Sequence, residues 1–128
     1  MGGNTIINGY IVGGLGEGTY FMSMQHYRNE IKKKFGFNAY PGTLNLKITK
    51  KQFNSLKKKL PIKIEGYKSN NKVFGAVICR KAKIKNINAA LIMPKLTKHK
   101  DIVEIVAPVH LKSELRLKYG NKLRIELL

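Results

Sequence analysis

Four glycines fall within six residues in the stretch Gly13-Gly14-Leu15-Gly16-Glu17-Gly18, which runs on into Thr19 and Tyr20. An apolar run precedes it and a helix-like pattern follows it. Glycine lets the backbone approach a ligand closely and adopt positive φ. Successive free N–H groups ahead of a helix favour anions such as phosphate. The loop is not a Walker loop, which needs Lys and then Ser or Thr after its last glycine; here Gly18 is followed by Thr19 and Tyr20. A dinucleotide fingerprint would need a glycine where Thr19 stands. Taken alone, the stretch reads equally well as a phosphate cradle and as a mobile turn between strand and helix.

Two further sets of residues have chemical potential. In Thr43-Leu44-Asn45-Leu46-Lys47-Ile48 the apolar side chains alternate with polar ones. Thr43 and Asn45 therefore share one strand face, with their backbones about 6–7 Å apart. Two neutral oxygens cannot hold a hard cation by themselves, but they suffice for Mg²⁺ that brings its own waters and nucleotide phosphates. The bland alternative is that both bond turn backbone or water. Glu104 interrupts the apolar strand Ile102-Val103-Glu104-Ile105-Val106. Buried carboxylates need partners, so the plain expectation is an edge-strand charge that opposes aggregation.

Other chemistries find no support. The seven acidic residues include no closely spaced pair for glycosidase or aspartyl chemistry, and His26, His99 and His110 lack a zinc spacing. There is no G-x-S-x-G elbow. The single cysteine, Cys79, sits in an apolar run and reads as a buried thiol of a cytoplasmic protein. An enzyme with this inventory works by positioning and electrostatics, and phosphoryl transfer is the reaction class where those are enough.

The elements that must position these residues follow from the pattern. Thr5 to Val12 reads as a strand. Met24, Tyr27, Ile31 and Phe35 recur at helical spacing, with Ser23 as N-cap, Gly36 as C-terminal stop and Lys32, Lys33 and Lys34 in the last turn. Thr49 caps a second helix that faces Phe53, Leu56 and Leu60 inward and ends at Pro61. Strands are expected over Ile62 to Tyr67, Val73 to Ile84 (with Gly75 as a bulge or close contact), Ala89 to Met93, Ile102 to Ala107 and Lys122 to Leu127. Turns fall at Ser69 to Lys72, Asn86 to Asn88 and Tyr119 to Asn121. Val109 to Leu117 reads as a short helix or turn. Short strands with frequent turns and irregularly placed helices predict a mainly β fold with helical insertions, a closed β-barrel rather than a βαβ sheet.

The 128 residues are expected to form one domain, 1–128, with a real core. No apolar run reaches membrane-span length and no signal-peptide pattern opens the chain. The formal net charge of +18 invites nucleic acid or a polyanionic small molecule. Its lysines are clustered on element surfaces, and only four arginines are present. Arginine is the preferred bidentate reader of bases and phosphates, so the balance argues against a dedicated nucleic-acid binder.

Several segments together resemble one family, the archaeal CTP-dependent riboflavin kinases. They are Gly14-Leu15-Gly16-Glu17-Gly18 with Tyr20, Tyr40-Pro41-Gly42-Thr43-Leu44-Asn45-Leu46, Pro94-Lys95-Leu96-Thr97, Glu104-Ile105-Val106-Ala107-Pro108, and the closing Leu111 to Leu127 with Gly120. The resemblance runs from about Gly9 to Leu128. It implies a six-stranded cradle-loop (Greek-key type) β-barrel and transfer of the γ-phosphate of CTP to the ribityl 5′-hydroxyl of riboflavin, giving FMN and CDP. By the same resemblance Gly14, Leu15, Gly16, Glu17, Gly18 and Thr19 would hold the nucleotide, with His110, Leu111, Lys112 and Ser113 completing that site. Thr43 and Asn45 would coordinate Mg²⁺, and Thr97 and Glu104 would contact the flavin. Lys112 stands where Arg is common in the family; it keeps the charge and loses the bidentate fork. The expected protein is a cytoplasmic monomer. Two rivals make different demands. A nucleic-acid-binding barrel without catalysis would have no need of Gly16, Thr43 or Asn45, and a flavin- or nucleotide-binding module would bind without turnover.

Overall fold

The computed structural model describes residues 5–13, 21–93 and 101–128. Residues 1–4, 14–20 and 94–100 lie outside the described residues.

Nine strands and three helices are described: β1 Thr5–Val12, α1 Gln25–Phe35, β2 Leu44–Lys47, α2 Lys50–Lys57, β3 Ile62–Ile64, β4 Tyr67–Ser69, β5 Lys72–Phe74, β6 Val77–Ile84, β7 Ile87–Met93, β8 Ile102–Val106, α3 Leu111–Glu114 and β9 Lys122–Leu127. Six strands close an antiparallel barrel in the order β6-β7-β8-β2-β1-β9, with β9 returning to β6. β6 changes partner along its length. It pairs with β3 over Val77 to Cys79 and with β9 at Ala82 and Lys83. Each strand sends alternate side chains inward, as a half-buried strand must. The interior holds Ile7, Leu46, Ile84, Leu91, Ile105 and Ile125 among others.

β7 is apolar on its outer face as well, and β8 is so at Val106. There Ala90, Ile92 and Val106 join Cys79, Tyr27 and Ile31 in a second cluster under α1. A strand covered on both faces reads as a continuous apolar run, which is what Ala89 to Met93 shows. Tyr27 takes its hydroxyl into this layer and donates to the Gly75 carbonyl at 2.6 Å. Burial pushes the Cys79 thiol up to about 12, from an ordinary value of 9.0. A raised thiol pKa contributes stability that is whole below pH 9 and is lost as pH climbs toward 12. Cys79 is therefore expected to resist a disulfide reagent such as DTNB at pH 8 in native buffer and to react fully in denaturant; rapid stoichiometric reaction of the folded protein would contradict this burial.

The helix caps illustrate where local sequence rules hold and where they slip. Thr49 caps α2 as expected. Its hydroxyl accepts from the Gln52 N–H at 3.1 Å, and the Gln52 side chain accepts from the Thr49 N–H at 3.0 Å, a full capping box. Thr49→Ala is expected to cost about 1 kcal/mol, read as a shifted urea midpoint with an unchanged m-value. Gly36 closes α1 with φ 84°, the left-handed geometry that a C-terminal glycine supplies. Met24, not Ser23, is the N-cap of α1, because the first helical residue is Gln25. Leu60 does not face inward. α2 ends at Lys57, so Leu60 falls beyond the helix and is 85% exposed. Arg80 secures that end from inside, with its Nη2 3.5 Å from the Lys57 carbonyl, where a cation suits the helix dipole.

Two expected strands are each divided. Ile62 to Tyr67 splits into β3 and β4 around Glu65 and Gly66, and Val73 to Ile84 splits into β5 and β6 at Gly75 and Ala76. β4 and β5 form a separate hairpin that turns through Asn70 and Asn71 at φ 49° and 65°. Asparagine tolerates that left-handed pair better than most side chains. The β6–β7 turn is Lys85-Asn86, one residue earlier than the expected turn at Asn86 to Asn88. Among the described residues no helix is long and apolar enough to cross a membrane.

Candidate active site

β2 lies between β1 and β8, and β8 lies between β7 and β2. Glu104 is therefore on an inner strand, which overturns the edge-strand reading. An edge charge would have had solvent on one side; Glu104 is 1% exposed. Its register explains how it is tolerated. Glu104 stands directly opposite Asn45 on β2 and opposite Ile92 on β7. Thr43, just ahead of β2, donates its hydroxyl to Glu104 Oε1 at 2.9 Å. The three polar side chains singled out from the sequence of these two strands thus meet on the outer face of the barrel. Thr43 thus bonds the carboxylate.

Asn45 is 6% exposed, and its Oδ1 is buried and accepts no hydrogen bond. A buried carbonyl oxygen left unmet costs about 1–3 kcal/mol, and a ligand that satisfies it recovers that cost. The Thr43 hydroxyl has one proton and two acceptor lone pairs. Its proton goes to Glu104. Among the described residues no three His, Cys, Asp or Glu side chains converge as a metal site. Two neutral oxygens fit a hard cation whose remaining ligands are water and phosphate.

In front of Thr43 opens a cleft of about 230 Å³, lined by the turn Tyr40 to Leu44, by Ile105 and Ala107 of the β8 side, and by Val109 to Lys112. The turn is tied down by Tyr40 N–H donating to the Ala107 carbonyl at 2.8 Å and Gly42 N–H to the Tyr40 carbonyl at 2.7 Å. Of the four residues assigned from the closing segment, His110, Leu111 and Lys112 line this cleft; Ser113 stands behind, 2.6 Å from His110 Nδ1. Leu111 packs its side chain into the barrel core, so it has only backbone to offer a ligand. Lys112 lays its ammonium 3.7 Å from the centre of the Tyr119 ring, a cation–π contact that holds the charge at the rim. Gly14, Leu15, Gly16, Glu17, Gly18, Thr19 and Thr97 lie outside the described residues. Tyr40 was not singled out as a site residue, yet its ring lines the cleft and packs 5.1 Å from the His110 ring. The signal was an aromatic directly before the Pro41-Gly42 turn.

The cleft thus lies beside an orphaned carbonyl and an inner-strand carboxylate. The family model CTP-dep_RFKase, described as a domain of unknown function, DUF120, matches residues 11–127. The chain belongs to this family. Curated relatives include a riboflavin kinase of Methanocella arvoryzae, 37% identical over 127 residues, which span 98% of this chain and 58% of that protein. A riboflavin kinase of Archaeoglobus fulgidus is 37% identical over 130 residues, 98% of this chain and 56% of that protein. One from Saccharolobus solfataricus is 40% identical over 129 residues, 94% of this chain and 73% of that protein. The chain thus spans less than two thirds of the length of the first two relatives. In this CTP-dep_RFKase chain the family match covers β2, β8 and α3 together, the three elements that build the cleft.

Proposed function

We propose that the chain is a CTP-dependent riboflavin kinase domain that transfers the γ-phosphate of CTP to the ribityl 5′-hydroxyl of riboflavin, giving FMN and CDP. The observation that carries this reading is the meeting of Thr43, Asn45 and Glu104 behind the His110–Lys112 cleft, in a chain whose relatives are riboflavin kinases.

In this reading Thr43 and Asn45 would hold Mg²⁺ through their side-chain oxygens. When bound it neutralises charge on the phosphates, the contribution that metal ions make in phosphoryl transfer. The chain's own residues do the rest by positioning. Glu104 fixes the Thr43 hydroxyl through its hydrogen bond and, with Thr97, contacts the flavin. The loop Gly14 to Thr19 and the segment His110 to Ser113 embrace the nucleotide. No covalent intermediate is needed, and a loose transition state asks little of a base. The +18 charge draws a tetra-anionic nucleotide toward the protein, an attraction that salt screens. The domain works as a monomer in the cytoplasm, a setting that its one buried thiol suits.

The test is turnover. Purified protein, riboflavin and Mg²⁺ are incubated with CTP, ATP, GTP or UTP, and FMN is separated by chromatography. FMN formed with CTP well above ATP is the expected result. Equal use of all four donors would remove the CTP assignment while keeping the kinase. Folded protein that forms no FMN with any donor would overturn the reading.

A further inference from the structure

A second cleft lies away from the Thr43 site, where the barrel closes imperfectly. β9 pairs with β1 along its whole length, from Lys122 to Leu127. Its other edge meets β6 only at Glu126 and Leu127. Continuing the register, in which Lys83 faces Glu126, would place Ile84 against Ile125 and Lys85 against Arg124. Like charges directly opposite one another destabilise a pair, and Lys85 instead turns away at φ 54° into the β6–β7 turn. The strands part, and a cleft of about 500 Å³ opens between them. Its rim carries four cations, Lys83, Lys85, Lys122 and Arg124, against one carboxylate, Glu126. Leu115 and Leu117, which follow α3 and pack on the barrel core, supply an aliphatic side.

We propose that this wedge is a docking surface for an extended acidic segment of a partner protein, which adds as a strand to the open edge of β9. Three features of the wedge select that occupant. A strand edge presents alternating N–H and C=O groups, and only another polypeptide backbone offers both complements. The cationic rim complements carboxylates on one face of the added strand, while its alternate side chains meet Leu115 and Leu117. A second copy of the chain would bring a net charge of +18 against a like charge. A nucleic-acid strand offers its backbone acceptors only, and among the described residues the cleft is lined by no aromatic ring on which bases could stack. The inference is independent of the kinase reading, since it uses none of Thr43, Asn45, Glu104 or His110.

The test uses a fluorescein-labelled peptide of alternating Glu and Val, followed by fluorescence anisotropy. Three competitors accompany it: the same peptide with N-methylated valines, an alternating Lys and Val peptide, and a single-stranded oligothymidylate. The expected result is that the acidic peptide binds the parent protein, that the Lys85→Glu/Arg124→Glu double variant binds it about tenfold or more weakly, and that N-methylation also weakens it. Hydrogen exchange gives a readout that does not depend on any variant: peptide should slow exchange of amides between Lys122 and Ile125. Equal affinity for the double variant, shown folded by circular dichroism, would overturn the site. Equal binding of the N-methylated peptide would overturn strand addition. Tighter binding of the oligothymidylate, lost in the double variant, would replace the peptide with nucleic acid.

Discussion

Asn45→Ala is expected to lower the rate of FMN formation by about two orders of magnitude without lowering the stability of the metal-free protein. The two halves of that expectation come from the same atom. Asn45 Oδ1 is buried without a hydrogen-bond partner, so removing it takes away an unmet polar group rather than a contact. In the absence of metal and nucleotide, thermal unfolding of the variant should therefore occur at the parent temperature or above it. With Mg²⁺ and CTP the order should reverse, because only the parent has the carbonyl that the proposed metal would meet. Thr43→Ala should fall alongside it in turnover, and Thr43→Ser, which keeps the hydroxyl that donates to Glu104, should recover most of the rate. Initial rates across a Mg²⁺ titration and paired melting curves decide the matter. An Asn45→Ala enzyme within threefold of the parent at every Mg²⁺ concentration would remove Asn45 from the proposed metal site.

The second large effect is on the fold. Gly9→Ala is expected to destabilise the barrel by about 3 kcal/mol, the upper part of the range for overpacking. A Cβ at Gly9 would stand 2.6 Å from Leu46 Cγ, 2.7 Å from Leu46 Cδ2 and 2.7 Å from the Lys47 carbonyl oxygen. Leu46 is fully buried in the interior and has little room to yield; the carbonyl belongs to β2 and cannot swing aside without breaking its strand. Gly9 thus marks where β1 presses closest on β2, a use of strand glycine that a side chain would forbid. Adding Leu46→Ala to Gly9→Ala should not restore the parent, since it removes only the side-chain half of the clash and opens a cavity of its own. Chemical denaturation of the single and double variants tests this. A Gly9→Ala midpoint equal to that of the parent would mean that the strands separate more easily than their packing indicates.

Much of the local structure was legible because it depends on neighbours in sequence. β1 and β9 occupy the stretches read as strands, Thr5 to Val12 and Lys122 to Leu127, since strand periodicity is written in each segment. Thr49 and Gly36 act at their helix ends because capping is settled within four residues. The closed barrel was legible in outline from many short strands and irregular helices. The misses share a physical cause. Leu60 fits the helical spacing of Phe53 and Leu56, but periodicity cannot say where a helix loses its packing partner. Gly75 was legible as an irregular point in its run, but a glycine does not say that the strand leaves one sheet there and joins a separate hairpin, because that depends on pairing with distant strands.

The site divides the same way. Sequence by itself determined the residue types: two neutral oxygens two residues apart, a carboxylate alone among apolar neighbours, a glycine-rich stretch, and a chain with a single cysteine and no G-x-S-x-G motif. It also carried enough of the motif to mark the family. Only the tertiary structure decided that the carboxylate is internal. That follows from β8 lying between β7 and β2, an order that strand pattern leaves open because pairing between distant strands depends on chain crossovers rather than on local propensity. The same pairing placed Glu104 against Asn45 and within reach of Thr43, and it left the Asn45 carbonyl buried and unmet. A list of polar residues became one site because burial removed water as their alternative partner.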